Sequence, residues 1–344
     1  WVTDIVGPFL QDWPTARPIS PFHKGDGHVT DDTLMTIALS NVYAQVRDHL
    51  TAFDMADRLV PQIADEVIYI PELERETVLV NRLFFAEKYL LHRLRHAHVD
   101  PREAGVGNVV NCGAAMYMAP VGVVNAGNPE GAYAEAIDIA GAHQVSFGRE
   151  AAGVMAAAVA EAMRPGASVD SVVEVAIDLA RDGTKTAIEE VTNAARGVSG
   201  WEAAIPVLRD AVRPFDSVGE TYREPDLDAR KPSRRNAIEE LPVALGMLIA
   251  NGGDYTGTML GGVNYGRDSD SIAQMGGALA GALHGETAVP RGWVDRVSTA
   301  SRRDFRAVAD ELAAVALEVF ERDRARWQRR VEGFPAADTT VGRR

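Results

Sequence analysis

Cysteine and long apolar runs are scarce in this sequence of 344 residues. Its single cysteine, Cys112, excludes a disulfide within the chain and fits the reducing cytoplasm, which we predict as its location. No window of 18 apolar residues without charge occurs, so we expect no membrane span, and no secretory signal pattern is visible. The chain begins with Trp1 instead of Met, and we expect that its true N-terminus is missing.

Positive charge is also in short supply. The sequence has 35 Lys and Arg residues against 49 Asp and Glu residues, which gives a formal net charge of −14 and a pI of about 5.1. A protein with this excess of acid repels a phosphate backbone. We therefore predict that no nucleic acid is a partner.

Alternating strand patterns hardly occur, and only short stretches such as Val67 to Ile70 resemble strands. Apolar residues instead recur at three- and four-residue steps, as Met35, Leu39 and Val42 do. We predict an all-α fold in a single domain over residues 1–344, without an internal repeat. The predicted helices are 31–46, 52–68, 75–97, 130–142, 147–163, 169–181, 184–195, 236–250, 270–284 and a terminal amphipathic helix at about 301–331, within 300–335. Residues 1–29 are predicted to be irregular and residues 196–235 less regular. The glycines of the run 252–266 are expected to let backbone and helices approach closely.

The first candidate site is an acidic cluster, Thr30-Asp31-Asp32, which follows Gly27 at the predicted start of a helix. Two carboxylates at this place have a simple explanation, because they favour the positive end of the helix dipole and can accept hydrogen bonds from free backbone N–H groups. Taken alone, the cluster is explained as helix capping.

A second acidic cluster, Asp268-Ser269-Asp270-Ser271, has the same design and also precedes a helix. Its Asp-x-Asp pattern resembles the start of an EF-hand loop, but Ala273 and Leu279 stand where that loop needs glycine and glutamate. Together, the two clusters predict a site for one or two hard divalent cations, which prefer carboxylate and hydroxyl oxygens. Such ions can polarise a substrate and activate water.

Three segments of this sequence together resemble the ADP-ribosylglycohydrolase family. Gly27 to Met35 is similar to its first motif, G-x-x-T-D-D-T-x-M, and Asp268 to Ala282 is similar to its last motif. Between them, Asn111 to Gly122 resembles the G-N-G-x-x-M-R-x-A-P-x-G segment. His143 falls where the family has a histidine after the next helix.

The resemblance implies an orthogonal all-α bundle that binds Mg²⁺ or Mn²⁺, with two ions expected between the clusters. It implies metal ligands at Thr30, Asp31, Asp32, Asp268, Asp270 and Ser271, with catalytic roles for Asp31 and Asp270. Asn111, Gly113 and His143 would contact the substrate. The implied reaction is hydrolysis of a glycosidic bond at the ribose of a small-molecule or ADP-ribosylated substrate.

The sequence departs from the family pattern in three places. The family has a glutamate tied to catalysis near its start, whereas residues 1–26 contain no glutamate. Ser271 replaces the usual threonine, which keeps the hydroxyl. Cys112 and Tyr117 stand where the family often has Gly or Asn and Arg, and losing the arginine removes a bidentate phosphate donor.

These departures leave two other functions open. One is a non-hydrolytic relative that binds ADP-ribose or a nucleotide. The other is a metal-dependent diphosphate lyase or cyclase, although Met35 stands where the last acid of a D-D-x-x-D run would be needed.

Overall fold

A computed structural model describes residues 27–216 and 237–334. Within these residues the chain is built from helices and one two-stranded sheet, which confirms the predicted all-α fold. The α-helices are α1 (Asp31–Val46), α2 (Ala52–Asp54), α3 (Val60–Ala64), α4 (Phe85–Leu91), α5 (Ala119–Val124), α6 (Pro129–Ala140), α7 (Ser146–Ala162), α8 (Val169–Leu179), α9 (Asp182–Ala195), α10 (Trp201–Val212), α11 (Ala237–Ala250), α12 (Tyr255–Tyr265), α13 (Ser269–His284), α14 (Arg291–Ser301) and α15 (Phe305–Glu332). The predicted irregular start, residues 1–26, lies outside the described residues.

Helix α7 forms the centre of the core. It is rich in alanine, and every residue from Ala151 to Ala162 is buried. Small side chains allow neighbouring helices to come close, and α7 packs against α5, α6, α8, α11 and α13. This arrangement fixes α13, and therefore the second acidic cluster, against the middle of the molecule.

Helices α1 and α13 pack against one another and bring the two acidic clusters to the same region. The inner face of α1 is formed by residues at helical spacing, including Met35, Leu39 and Val42, all of which are fully buried. Helix α1 ends at Arg47, which adopts the left-handed conformation with φ of 55°. The predicted bounds of this helix and of 270–284 are met within one residue.

Most of the glycine-rich run 252–266 forms α12, a helix that was not predicted. Its glycines allow close helix packing. A Cβ atom on Gly262 would lie 2.7 Å from the Cα atom of Ala273, and one on Gly261 would lie 2.6 Å from the sulfur of Met247. The contact with Ala273 sets the position of α13 directly beside the acidic cluster.

A β-hairpin replaces part of two predicted helices, 52–68 and 75–97. Strand β1 (Val67–Ile70) pairs antiparallel with β2 (Arg75–Val78), with Val67 opposite Val78. Both predictions were wrong there because β-branched and aromatic residues favour a pleated strand over a helix. The helices on either side contain π-helical turns at Met55–Leu59 and His92–His96.

The predicted terminal helix, about 301–331, is confirmed as α15, whereas α14, just before it, was not predicted. The break lies at Asp304, whose carboxylate accepts a hydrogen bond from the N–H of Ala307 at 3.0 Å and caps α15. Helix α10 crosses a segment predicted to be less regular and tolerates Pro206 inside it. Among the described residues, no helix is both long and apolar enough to cross a membrane.

Candidate metal centre

The first acidic cluster lies at the start of α1, but its N-cap side chain does not cap the helix. Thr30 is the N-cap residue and makes no side-chain capping bond. Its hydroxyl instead donates to Oδ2 of Asp32 at 2.9 Å. Asp31 and Asp32 are both buried, with exposed fractions of 6% and 2%. Capping by Thr30 therefore does not explain the cluster.

The second acidic cluster begins α13 in a similar way. Gly266 and Arg267 both have positive φ, which turns the chain sharply into the helix. Asp268 is the N-cap residue, and its side chain makes no capping bond either. Asp268 and Ser271 are buried, whereas Asp270 is half-buried.

The two clusters meet at the contact between α1 and α13. Asp31, Asp32 and Asp270 each offer a carboxylate oxygen, and these atoms lie within 4.8 Å of one another. The hydroxyl of Ser271 also hydrogen-bonds to Asp32. The structure thus brings together residues that are 238 positions apart in the sequence (Asp32 and Asp270), as the joint-site prediction required.

Asp268 belongs to an adjacent group that includes two residues not predicted as ligands. It lies with Cys112 and Glu240, again with one ligand atom from each within 4.8 Å of the others. The Cys112 thiol donates to Oδ2 of Asp268 at 3.3 Å. The four predicted aspartate ligands therefore divide between two neighbouring groups, which we call the Asp31 group (Asp31, Asp32, Asp270) and the Cys112 group (Cys112, Glu240, Asp268).

Burial and mutual repulsion raise the pKa values of the carboxyl groups in this centre. The pKa of Asp31 lies well above its usual value because of burial, and then because of the charges of Asp32, Glu87 and Asp270. Burial, followed by repulsion from Asp270 and Asp268, raises the pKa of Asp32 in the same way. Carboxylates held so close gain when a cation neutralises them.

A buried carboxylate oxygen of Asp32 supports the fit of a divalent cation. Among the described residues, Oδ1 of Asp32 is buried and has no hydrogen-bond partner. A buried polar atom without a partner is costly. Hard oxygen donors from Asp31, Asp32 and Asp270 are the kind that Mg²⁺ and Mn²⁺ prefer, so this donor set fits such an ion.

The middle motif lies against the same region. Oδ1 of Asn111 accepts hydrogen bonds from the N–H of Gly113 at 3.0 Å and from the amide of Gln144 at 2.8 Å. A Cβ atom on Gly113 would lie 3.3 Å from Oε1 of Glu87 and 2.8 Å from Oδ1 of Asn111. A side chain at Gly113 would therefore crowd this wall of the site.

His143 lies deeper, where it is fully buried. Its ring stacks on Tyr117, and Nδ1 lies 3.0 Å from the Tyr117 hydroxyl. Burial lowers the pKa of His143 to about 3, so the ring is neutral at physiological pH. In this structure the contacts of His143 are internal, and its expected contact with a ribose stays a prediction.

Sequence reasoning missed Glu87, an acid close to the predicted site. Glu87 is buried, its Oε1 lies 3.5 Å from Nε2 of His143, and its Oε2 accepts a hydrogen bond from the N–H of Phe84. Burial is the main cause that raises its pKa to about 7. Its position as the third residue of α4 was a possible sequence signal, because glutamate there closes back on the helix start.

Sequence reasoning also missed Arg82, a cation close to the first acidic cluster. It is 1% exposed, its guanidinium donates to the carbonyl of Val29 at 3.1 Å, and its charge lowers the pKa of Asp31. Arg82 therefore positions the chain just before the first cluster and partly offsets its negative charge.

Comparison with known proteins agrees with this fold. A family model described as ADP-ribosylglycohydrolase matches residues 2–324. Among solved structures, an ADP-ribosylglycohydrolase-related protein complex has a similar fold, with a TM-score of 0.57 and 21% sequence identity over 92% of this chain and 90% of that one. No curated protein matches the sequence.

The fold and the family match define an all-helical hydrolase of the glycosidase type. The chain belongs to the ADP-ribosylglycohydrolase family.

Proposed function

We propose that the protein is a Mg²⁺- or Mn²⁺-dependent hydrolase that cleaves the glycosidic bond at the ribose of an ADP-ribosyl or related N-ribosyl compound. The observation that carries the proposal is that Asp31, Asp32 and Asp270 lie together although they are far apart in the sequence. In a family of glycosidase-type hydrolases, a buried group of carboxylates is suited to this reaction.

The residues that would hold the metal are Thr30, Asp31 and Asp32 from the first cluster and Asp268, Asp270 and Ser271 from the second. A bound divalent ion supplies charge stabilisation for a leaving group and lowers the pKa of a water molecule. Ser271 and Thr30 hold Asp32 in place through their hydrogen bonds. Asp31 and Asp270 are the residues that we assign to catalysis beside the substrate.

Glu87 is suited to proton transfer in this reaction. General acid–base catalysis works best when the group has a pKa near the working pH, and the pKa of Glu87 is about 7. Its Oε1 faces the wall formed by Gly113 and His143, where we place the ribose. Glu87 would also take the role of the catalytic glutamate that the family has near its start and that residues 1–26 do not contain.

The test is a hydrolysis assay on ADP-ribosylated protein and small N-ribosides, with Mg²⁺, with Mn²⁺ and with a chelator. We expect turnover that needs the metal and is lost in Asp32→Asn and Asp270→Asn. Asp254→Asn is the matched control, because Asp254 is an exposed cap of α12 and asparagine caps equally well. Turnover that survives the chelator would refute the metal requirement.

Binding of ADP-ribose without turnover would support the second candidate, a non-hydrolytic relative. The observation that favours it is Tyr117, which is buried against His143 where the resemblance predicts an arginine. Calorimetry with ADP-ribose, run beside the assay, separates the two functions.

A further inference from the structure

Cys112 lies in the candidate metal centre, and the proposed function gives it no role. It is 2% exposed, and its thiol donates to Oδ2 of Asp268 at 3.3 Å. Glu240, which is 1% exposed, completes the Cys112 group, in which one ligand atom of each residue lies within 4.8 Å of the others. The group therefore places a soft sulfur ligand beside two hard carboxylates.

Three separate elements of the fold position the Cys112 group. The N–H of Met116 donates to the carbonyl of Cys112 at 3.0 Å, which closes the turn that carries the cysteine. Glu240 lies in the first turn of α11, and Asp268 is the N-cap residue of α13. Because α11 and α13 pack against one another, the two carboxylates are held on either side of the thiol by the core of the protein.

The distances within the Cys112 group suit a single cation. In zinc sites the bond to sulfur is about 2.3 Å and the bond to a carboxylate oxygen about 2.1 Å. With these lengths, a sulfur and an oxygen that are 3.3 Å apart form an angle of about 97° at one ion. Two ligand atoms of one ion can lie up to about 4.4 Å apart, close to the 4.8 Å limit of the whole group. Cys112 and Asp268 can therefore bind one ion where they lie, and Glu240 needs at most a small shift.

A buried acceptor borders the Cys112 group and is independent evidence for a cation. The hydroxyl of Ser271 hydrogen-bonds to Asp32 and also to Cys112, so the side chain of Asp32 adjoins the group. Asp32 is 2% exposed, and its Oδ1 has no hydrogen-bond partner among the described residues. A cation at this place would offset the cost of burying that oxygen.

We propose that Cys112, Glu240 and Asp268 bind a thiophilic divalent cation of the Zn²⁺ type, next to the Mg²⁺ or Mn²⁺ ion of the Asp31 group. The inference rests on the proposed function, which assigns the harder ion to the Asp31 group. A thiolate favours Zn²⁺ over Mg²⁺, whereas carboxylates alone suit Mg²⁺ and Mn²⁺. The thiol of Cys112 loses its proton to the solvent as it binds. A carboxylate has two oxygens, so Asp268 can contact both ions.

Cobalt spectroscopy on the full chain tests the sulfur ligand directly. Protein treated with a chelator and then saturated with Mg²⁺ is titrated with Co²⁺, which replaces Zn²⁺ and gives an intense near-ultraviolet charge-transfer band only when a thiolate binds it. Because Cys112 is the single cysteine, such a band can come only from this residue. We expect the band in the parent and its loss when Zn²⁺ is added. Cys112→Ser should lack the band, and the control Asp254→Asn, at an exposed helix cap, should keep it. A parent without the band would overturn the proposal.

Glu240→Gln tests the carboxylate side of the site and does not depend on the folding of Cys112→Ser. Glutamine keeps the size of the side chain and removes its charge, so the same band should need about tenfold more Co²⁺ or higher, with an unchanged helical spectrum. An unchanged affinity would remove Glu240 from the site and overturn the three-residue proposal. Neither measurement uses hydrolysis. Turnover with Mn²⁺ in a protein without the band would refute this inference alone, and the band without turnover would refute the proposed function alone.

Discussion

Two groups of buried acids lie next to each other in this protein and have opposite surroundings. Glu239 accepts hydrogen bonds from Arg267 at 2.8 Å, from Arg209 at 3.3 Å and from the hydroxyl of Tyr265 at 3.0 Å. Glu240, the next residue, lies in the Cys112 group with Asp268, which itself follows Arg267. Glu239 of the ion-pair network and Glu240 of the candidate metal centre are therefore adjacent in the sequence.

The two regions differ in how their buried charges are balanced. In the network, guanidinium groups match the carboxylates of Glu239 and Asp216, so the charges are balanced within the protein. In the centre, burial is the largest cause of the raised pKa values of Asp31 and Asp32, and repulsion from other acids adds to it. Breaking the network would leave buried charges unmatched, whereas the centre lowers the stability of the fold until a cation binds.

The largest effect on stability is expected from removing the network's central cation. Arg267→Ala removes a guanidinium that contacts both Glu239 and Asp216, two buried acids that Arg209 also contacts, so we expect a loss of about 3 kcal/mol. Urea denaturation at neutral pH in a chelator measures it. Arg306→Ala is the control, because its pair with Glu286 is about 70% exposed and should cost less than about 0.5 kcal/mol. Equal losses in the two variants would show that the network is not special.

The opposite result is expected in the centre. Asp32→Asn removes one of several repelling charges, so the variant should be more stable than the parent protein in a chelator. At a metal concentration of about 100 times its Kd, the parent should gain roughly 2.7 kcal/mol, and most of this gain should be absent in the variant. Thermal denaturation with and without Mn²⁺ measures both. If Asp32→Asn were the less stable protein in the chelator, the repulsion argument would fail.

A smaller effect separates the acids that cap helices from those that form the centre. Asp254 accepts a hydrogen bond from the N–H of Gly257 at 2.7 Å, a contact that neither Thr30 nor Asp268 makes at its own helix start. Asp254→Ala should therefore cost about 1 kcal/mol, while Asp254→Asn should cost little. Both variants should keep the full stabilisation by Mn²⁺ in the same thermal experiment. A loss of that stabilisation would place Asp254 in the centre.

Much of the fold could be predicted from the sequence, because apolar residues at helical spacing repeat along α1, α7 and α13. The strand-like pattern of Val67 to Ile70 was visible, but the hairpin was not predicted because β1 and β2 are each only four residues long, too short for a persistent alternation. Helix α12 was missed because glycine has poor helix propensity, and its contacts with Ala273 and Met247 are long-range packing that local sequence does not reveal.

The centre was predictable only in part. Asp31, Asp32 and Asp270 carry a recognisable pattern at two helix starts, and the joint reading brought them together correctly. Cys112, Glu240 and Glu87 carry no such pattern, since each reaches the centre through the packing of a separate element. Their roles depend on tertiary distances, which one sequence does not contain.

The smallest effect concerns His49, a half-buried histidine that connects α15 to the rest of the protein. His49 lies 2.6 Å from Glu135 and 2.7 Å from Asp323, and these partners, with Glu135 the stronger, raise its pKa to about 9 from 6.5. The folded state therefore holds the proton more tightly than the unfolded state does. The resulting stability is fully present below pH 6.5 and is lost as the pH rises through about 9.

Urea denaturation of the parent and of His49→Gln across this range checks the sign. The advantage of the parent should be greatest near pH 6, should shrink between pH 6.5 and 9, and should be gone above it. Because His49 is partly exposed, solvent screening should keep this advantage below the effect of a helix cap. An advantage that grew with pH would mean that His49 is neutral in the folded protein. In that case His49 would supply no positive charge to match those of Glu135 and Asp323.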